Sequence, residues 1–177
     1  MRILPLVLLT STAVLRSSAG PIDFSPTIGQ RELEGIIFPQ VVFHQDGHAI
    51  SYEQPRHWKC SGDSARLSLT PSDVGQAAAT LTQAPLPAQP VFDEATTNGL
   101  KRSVLESLPS EAQNAHLVSE EQNPVRINQR ESYAVTVSYS YFGQDYMACV
   151  VFVNLVDTQL RARLIARKAD FDALQRA

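Results

Sequence analysis

A histidine and a cysteine stand three residues apart in "HWKC", His57 to Cys60. A cysteine nucleophile needs a base within hydrogen-bond reach and a third group that orients the base. No orienting partner is evident here. A small secreted thiol enzyme or hydrolase using Cys60 and His57 is therefore the second reading of this chain, not the first. A zinc site needs more ligands than a lone H-x-x-C. Cys60 has another reading through Cys149, the second of two cysteines. In an oxidising compartment the pair can bridge, and the long loop between them would make an unstrained bridge worth ~4 kcal/mol. A plain buried thiol at Cys149 stands equally open, because the approach of the two Cα atoms is not a property of the sequence.

The other chemistry-bearing groups point to binding. Arg161, Arg163 and Arg167 alternate along one strand face, with a gap at Ile165. Guanidinium groups so placed suit a carboxylate or phosphate, and a solvated face paired to acids such as Glu120 and Glu121 is the plainer reading. His44, Asp46 and His48 in "HQDGH" suggest a metal. A hairpin turning at Asp46-Gly47 sends the two histidines to opposite faces, so no metal is expected. Tyr133, Tyr139 and Tyr141 recur at the strand period, which fits packing better than a ligand platform. The adjacent acids Glu120-Glu121 and Asp93-Glu94 lack the facing arrangement of a glycosidase. No nucleophile elbow, H-E-x-x-H, phosphate-binding glycine loop or calcium loop is present. No catalytic residue and no cofactor is assigned.

Composition narrows the partners. Residues 1–19, "MRILPLVLLTSTAVLRSSA", have a basic start, an apolar run and small residues at Ser17 and Ala19. These are the marks of a signal peptide cleaved after Ala19, followed by export to a periplasm or the medium. The run falls short of the ~20 residues a bilayer span needs, so the mature chain should carry no integral membrane segment. Loss of Arg2 and Arg16 takes the formal charge from −3 to about −5. Such an acidic chain is a poor nucleic-acid ligand. An unidentified protein or a small anionic ligand is the expected partner.

Residues 20–38, with Pro21, Pro26, Gly29 and Gly35, read as a loose N-terminal arm before a single domain over 39–177. In the hairpin at Asp46-Gly47, Val41 faces Tyr52 and Phe43 faces Ile50. Pro55 then ends the strand and Trp58 plugs the corner. "SARLSLTP" and "AAATLTQA" read as strands, with Leu67 and Leu69 on one face. The stretch 84–90 reads as a proline-rich surface loop. Asp93 caps a helix stacking Leu100, Val104 and Leu108, and Pro109 ends it. "AHLVSEEQ" follows as a strand. The segment 132–155 is a hairpin turning at Gly143-Gln144, and its second strand, apolar on both faces, belongs at the centre of a sheet. "TQLRARLIARK" alternates again, and Asp170 caps a last helix carrying Phe171 and Leu174. The expected fold is α+β, one antiparallel sheet with helices packed on it.

From Val41 to Ala177 this order of elements resembles the PsbP-like, Mog-type α/β/α sandwich superfamily. The residues that carry the likeness are Tyr52, Pro55 and Trp58 at the strand–proline–aromatic corner, and Lys168 to Phe171 at the strand-to-helix junction. That resemblance implies a small exported accessory or binding protein without a shared catalytic set. It transfers no functional residue to a numbered position.

Overall fold

The computed structural model describes residues 21–45, 47–52, 55, 57–86, 91–125, 129–155 and 157–176. The expected signal peptide, Asp46 and most of the proline-rich loop lie outside the described residues. In chain order the elements are β1 (Asp23–Leu33), β2 (Ile36–Gln45), β3 (His48–Tyr52), β4 (Trp58–Gly62), β5 (Arg66–Pro71), β6 (Ala78–Pro85), α1 (Glu94–Glu106), β7 (Gln113–Gln122), β8 (Ser132–Tyr141), β9 (Gln144–Asn154), β10 (Thr158–Arg167) and α2 (Lys168–Gln175).

The single sheet expected from the sequence is two sheets, and the α+β expectation gives way to a chain built mostly of strands. A three-stranded sheet runs β1-β2-β3 and a seven-stranded sheet runs β4-β5-β6-β10-β9-β8-β7, with antiparallel neighbours throughout. The extra layer comes from the N-terminal segment. Residues expected to form a loose arm instead form β1 and open β2, paired from Asp23 with His44 to Leu33 with Ile36. Two signals hid this. "SPTIGQREL" has no clean alternation, and its turn at Glu34-Gly35 needs positive φ at both positions (54° and 78°), which glycine adopts readily and glutamate does not.

Local patterning agrees with the structure at several elements, though the β8–β9 hairpin turns at Phe142-Gly143 and not at the expected Gly143-Gln144, since Tyr141 pairs with Gln144. Val41 pairs with Tyr52, Phe43 with Ile50 and Gln45 with His48, the register that puts the apolar set on one face. The Asp93 side chain accepts the Thr96 N–H at 2.8 Å at the start of α1. β9 lies inside the sheet between β10 and β8, and most of its residues are buried whichever face they point to. α2 begins directly at Lys168 and has no side-chain cap, so Asp170 sits in its first turn and does not cap it.

The seven-stranded sheet has two differently covered faces. On one, α1 lays Val104 on Tyr133, Val135, Val137, Ala148, Val150 and Phe152. On the other, cover comes from both ends. At one end Phe24, Val41 and Phe43 of the small sheet pack on Leu67, Val153 and Leu160. At the other, Phe171 of α2 packs on Ala77, Ala134, Cys149 and Ala166. The small sheet is also tied by hydrogen bonds. The Gln83 amide accepts the Ile22 N–H at 3.0 Å and donates to the Ile22 carbonyl at 2.6 Å.

An apolar cleft and the sequence-predicted site residues

The length of α2 decides what lies between those two ends. Its eight residues rise ~12 Å, whereas seven strands side by side span roughly 29 Å. The small sheet covers the far end, and the middle of the face stays open. The residues there are short. Ala79 faces Leu164, Leu81 faces Ala162, Ala162 faces Val151, and Ala134 faces Val151 from the other side. Small side chains on neighbouring strands make a concave floor. The result is a cleft of about 900 Å³. Phe43, Pro55 and Trp58 line it beside the small sheet, Phe171 and Leu174 beside α2, and Val118, Pro124 and Val125 along β7 and the turn after it.

Polar groups gather at the α2 end. Glu121 and Asp172, both exposed, line the cleft with Gln175. Gln175 Nε2 lies 4.0 Å from the Cys149 sulfur. Burial pushes the Cys149 thiol up from its ordinary range; the Thr136 hydrogen bond opposes that and the Glu121 charge adds to it.

The bridge weighed for Cys60 and Cys149 is not present. Both cysteines are free. Successive register pairs run Cys149 to Leu164, Leu164 to Ala79, Ala79 to Leu69 and Leu69 to Cys60. The two share a face four strands apart, about 19 Å, against the ~7 Å Cα limit of a disulfide. The residues between them are the floor of the cleft.

His57 and Cys60 do different work. His57 is an exposed turn residue at φ 65°, and its carbonyl accepts the Ser72 N–H at 2.6 Å. Cys60 packs against the cluster around Phe24 and Leu67, and burial pushes its thiol up. A nucleophilic cysteine is tuned in the other direction. At the corner itself the Trp58 side chain is buried, and its backbone N–H donates to the Pro55 carbonyl at 3.2 Å.

The arginines lie on the opposite face of the sheet, level with the α1 side. Arg161 Nε donates to Gln159 Oε1 at 2.9 Å, and its guanidinium lies 5.9 Å from the Phe152 ring centre. Arg163 reaches the Ser107 carbonyl at the end of α1, at 3.4 Å. Arg167 Nε donates to Gln76 Oε1 at 3.1 Å, an oxygen that also accepts the Tyr146 hydroxyl. Glu120 pairs with Lys101 at 2.9 Å and accepts the Tyr133 hydroxyl, so it is not an arginine partner. Tyr133 stacks on Phe92, and Tyr139 on Tyr146. Register pairs His44 with Ala49 and His48 with Gln45, on opposite faces.

Against known proteins, no protein-family model matches the chain and no curated protein matches it. Solved structures do. Cyanobacterial PsbP (CyanoP) from Synechocystis sp. PCC 6803 aligns over 94% of this chain and 91% of its own at 13% identity, with a TM-score of 0.50. The fold is PsbP-like. A Pseudomonas aeruginosa protein of unknown function also aligns, over 77% of this chain and 88% of its own, at 14% identity and a TM-score of 0.47. At such identities the PsbP-like likeness is one of fold. Among the described residues no helix is long and apolar enough to cross a membrane.

The cleft is what reading the sequence missed. Its signal is a run of small apolar residues on one face of several strands: Ala79, Ala134 and Ala162 beside Leu81, Val151 and Leu164. It becomes a signal only when the strand order is known. β6, β10, β9 and β8 are neighbours in space, but α1 and β7 separate β6 from the rest in sequence.

Proposed function

We propose that this is an exported, non-catalytic binding protein whose cleft holds one small amphiphile, apolar along its body and cationic or hydrogen-bond-donating at one end. The carrying observation is the cleft of about 900 Å³ between α2 and the three-stranded sheet. Ligand sites typically enclose ~300–1,000 Å³ with apolar walls and a few convergent polar groups. Glu121, Asp172 and Gln175 gather at the α2 end, with Thr80, Ser119, Thr136 and Arg163 also on the lining; the Arg163 guanidinium bonds the Ser107 carbonyl, and two carboxylates at one end favour a cation over another carboxylate. The raised thiols of Cys60 and Cys149 support binding over thiol chemistry. Export belongs to the same reading and rests on the sequence of residues 1–19. Its check is the intact mass of the secreted protein, which should begin at Gly20.

Displacement of a neutral solvatochromic dye by dodecylamine, dodecanol and dodecanoate, each below its aggregation concentration, tests the cleft. The amine should compete most strongly and the carboxylate least. Ala162→Trp fills the floor and should weaken dodecylamine by at least about tenfold while leaving far-UV circular dichroism unchanged. Equal competition by all three, or unchanged binding in Ala162→Trp, would overturn the proposal.

A further inference from the structure

The sheet face opposite the cleft carries a second arrangement, built by register. Arg66 pairs with Thr82, and Thr82 with Arg161. One step along, Ser68 pairs with Thr80, and Thr80 with Arg163. Two parallel rows result. Each spans two strand spacings, about 10 Å, and the rows lie about 7 Å apart along the strands. Arginines occupy three corners, a serine the fourth, and two threonine hydroxyls the middle. α1 packs on β7 and β8 and reaches this group only at its C-terminal end, where the Ser107 carbonyl accepts from Arg163. Arg66 and Arg161 are exposed.

The arginines have neutral partners, Gln159 for Arg161 and the Ser107 carbonyl for Arg163, but no anionic one among the described residues. No carboxylate among the described residues lies within ion-pair distance of Arg66, Arg161 or Arg163; Lys101–Glu120 is elsewhere, on α1 and β7. Asp63, in the turn before Arg66, commits Oδ1 to the backbone N–H groups of Ala65 and Arg66 at 2.8 and 3.0 Å. Arg163 Nε is buried and has no hydrogen-bond acceptor. Burial holds the Arg163 pKa below its ordinary value; Tyr139 opposes this and the Arg66 charge adds to it. Like charges on one face, with a buried donor unmet, are stabilised by an anion among them.

We infer that Arg66, Arg161 and Arg163, over the hydroxyls of Ser68, Thr80 and Thr82, form a binding site for a tetrahedral oxyanion of the phosphate class. Donors arriving from three directions match the spread of phosphate oxygens better than a planar carboxylate. The site differs from the arginine trio suggested by sequence spacing. Arg167 is engaged with Gln76, and Arg66, about ninety-five residues upstream of Arg161 and brought near by the sheet, takes its place.

Isothermal titration at low ionic strength with inorganic phosphate, then with glycerol 3-phosphate, reads the site directly, with chloride at matched ionic strength as the blank. Sedimentation with phosphatidylcholine vesicles, with and without phosphatidic acid, is the second arm. Saturable one-to-one binding should fall at least about tenfold in the double variant Arg66→Gln/Arg161→Gln, and should persist in Arg167→Gln and in Ala162→Trp. Arginine-dependent binding of the soluble phosphates assigns a free anion. Arginine-dependent binding of phosphatidic acid vesicles alone assigns a lipid headgroup. No binding in either arm, or binding that the double variant retains, overturns the inference. The two readings are tested by different variants, Ala162→Trp in the cleft and Arg66→Gln/Arg161→Gln on the other face, so their failures are separable.

Discussion

Pro55, His57 and Trp58 turn the chain between the small sheet and β4, and each does so by a different means. Proline withholds a ladder donor, His57 takes the left-handed backbone conformation, and Trp58 fills the space beneath. Truncating a buried aromatic costs ~3–5 kcal/mol. Trp58→Ala should therefore lower the chemical-denaturation free energy by about 3 kcal/mol, and a midpoint unchanged from wild type would contradict this. The cysteines give a second residue-scale outcome. Non-reduced, denatured protein should titrate two thiols, and native protein should react slowly at Cys149, which is 6% exposed. A third concerns acid. Backbone and side-chain bonds from Ser25 lower the Asp23 carboxyl, those from Thr96 lower Asp93, and the Tyr133 and then Lys101 bonds lower Glu120. Folded values below the unfolded ones contribute stability at pH above ~4, and that contribution is lost as pH falls through the folded values. All three groups are solvent-facing, so the effect is modest. The melting temperature should drop between about pH 5 and pH 2.5, and Asp93→Asn with Glu120→Gln should flatten the drop, since Asn keeps the cap without the titration.

At the scale of elements, β1 needs a close approach to the large sheet. A Cβ on Gly62 would meet the Arg66 carbonyl at 2.6 Å and the Phe24 carbonyl at 2.9 Å. Neither is a flexible side-chain end, so backbone must move. Gly62→Ala should cost ~1–3 kcal/mol as an overpacking change, with faster hydrogen exchange concentrated in β1 and β2. Gln83→Ala tests the same docking by another route, removing both bonds to Ile22. If exchange in β1 is unaltered by either change, the three-stranded sheet is not held by these contacts. The hairpins differ in how openly they declare themselves. Gly47 and Gly143 adopt positive φ, and alternating side chains flank both turns. Glu34-Gly35 turns with positive φ at both residues, as Phe142-Gly143 does, but between strands whose outer residues, Ile28, Leu33, Ile36 and Ile37, are exposed. Without a buried face the pattern has nothing to alternate against.

As a whole molecule the protein presents two unlike faces of one sheet: an apolar cleft with acidic groups at its end, and a basic, hydroxyl-lined patch on the other side. A ligand that binds only the folded state raises its stability by about 2.7 kcal/mol at a hundred times its dissociation constant. Dodecylamine should therefore raise the melting temperature of wild type but not of Ala162→Trp, and phosphate should raise that of both. Identical shifts from both ligands in both proteins would mean that neither face binds selectively.

Local rules in the sequence were enough for the β2–β3 register, the Asp93 cap of α1, the interior position of β9 and the packing role of the tyrosines. Each depends on neighbours a few residues apart or on a two-residue period. The second sheet, the separation of Cys60 from Cys149, the replacement of Arg167 by Arg66 and the cleft itself depend on which strands lie side by side. The chain crosses from β6 to β10 only after α1 and three further strands. Strand order is settled by how whole faces bury one another, and no short window of sequence contains that competition.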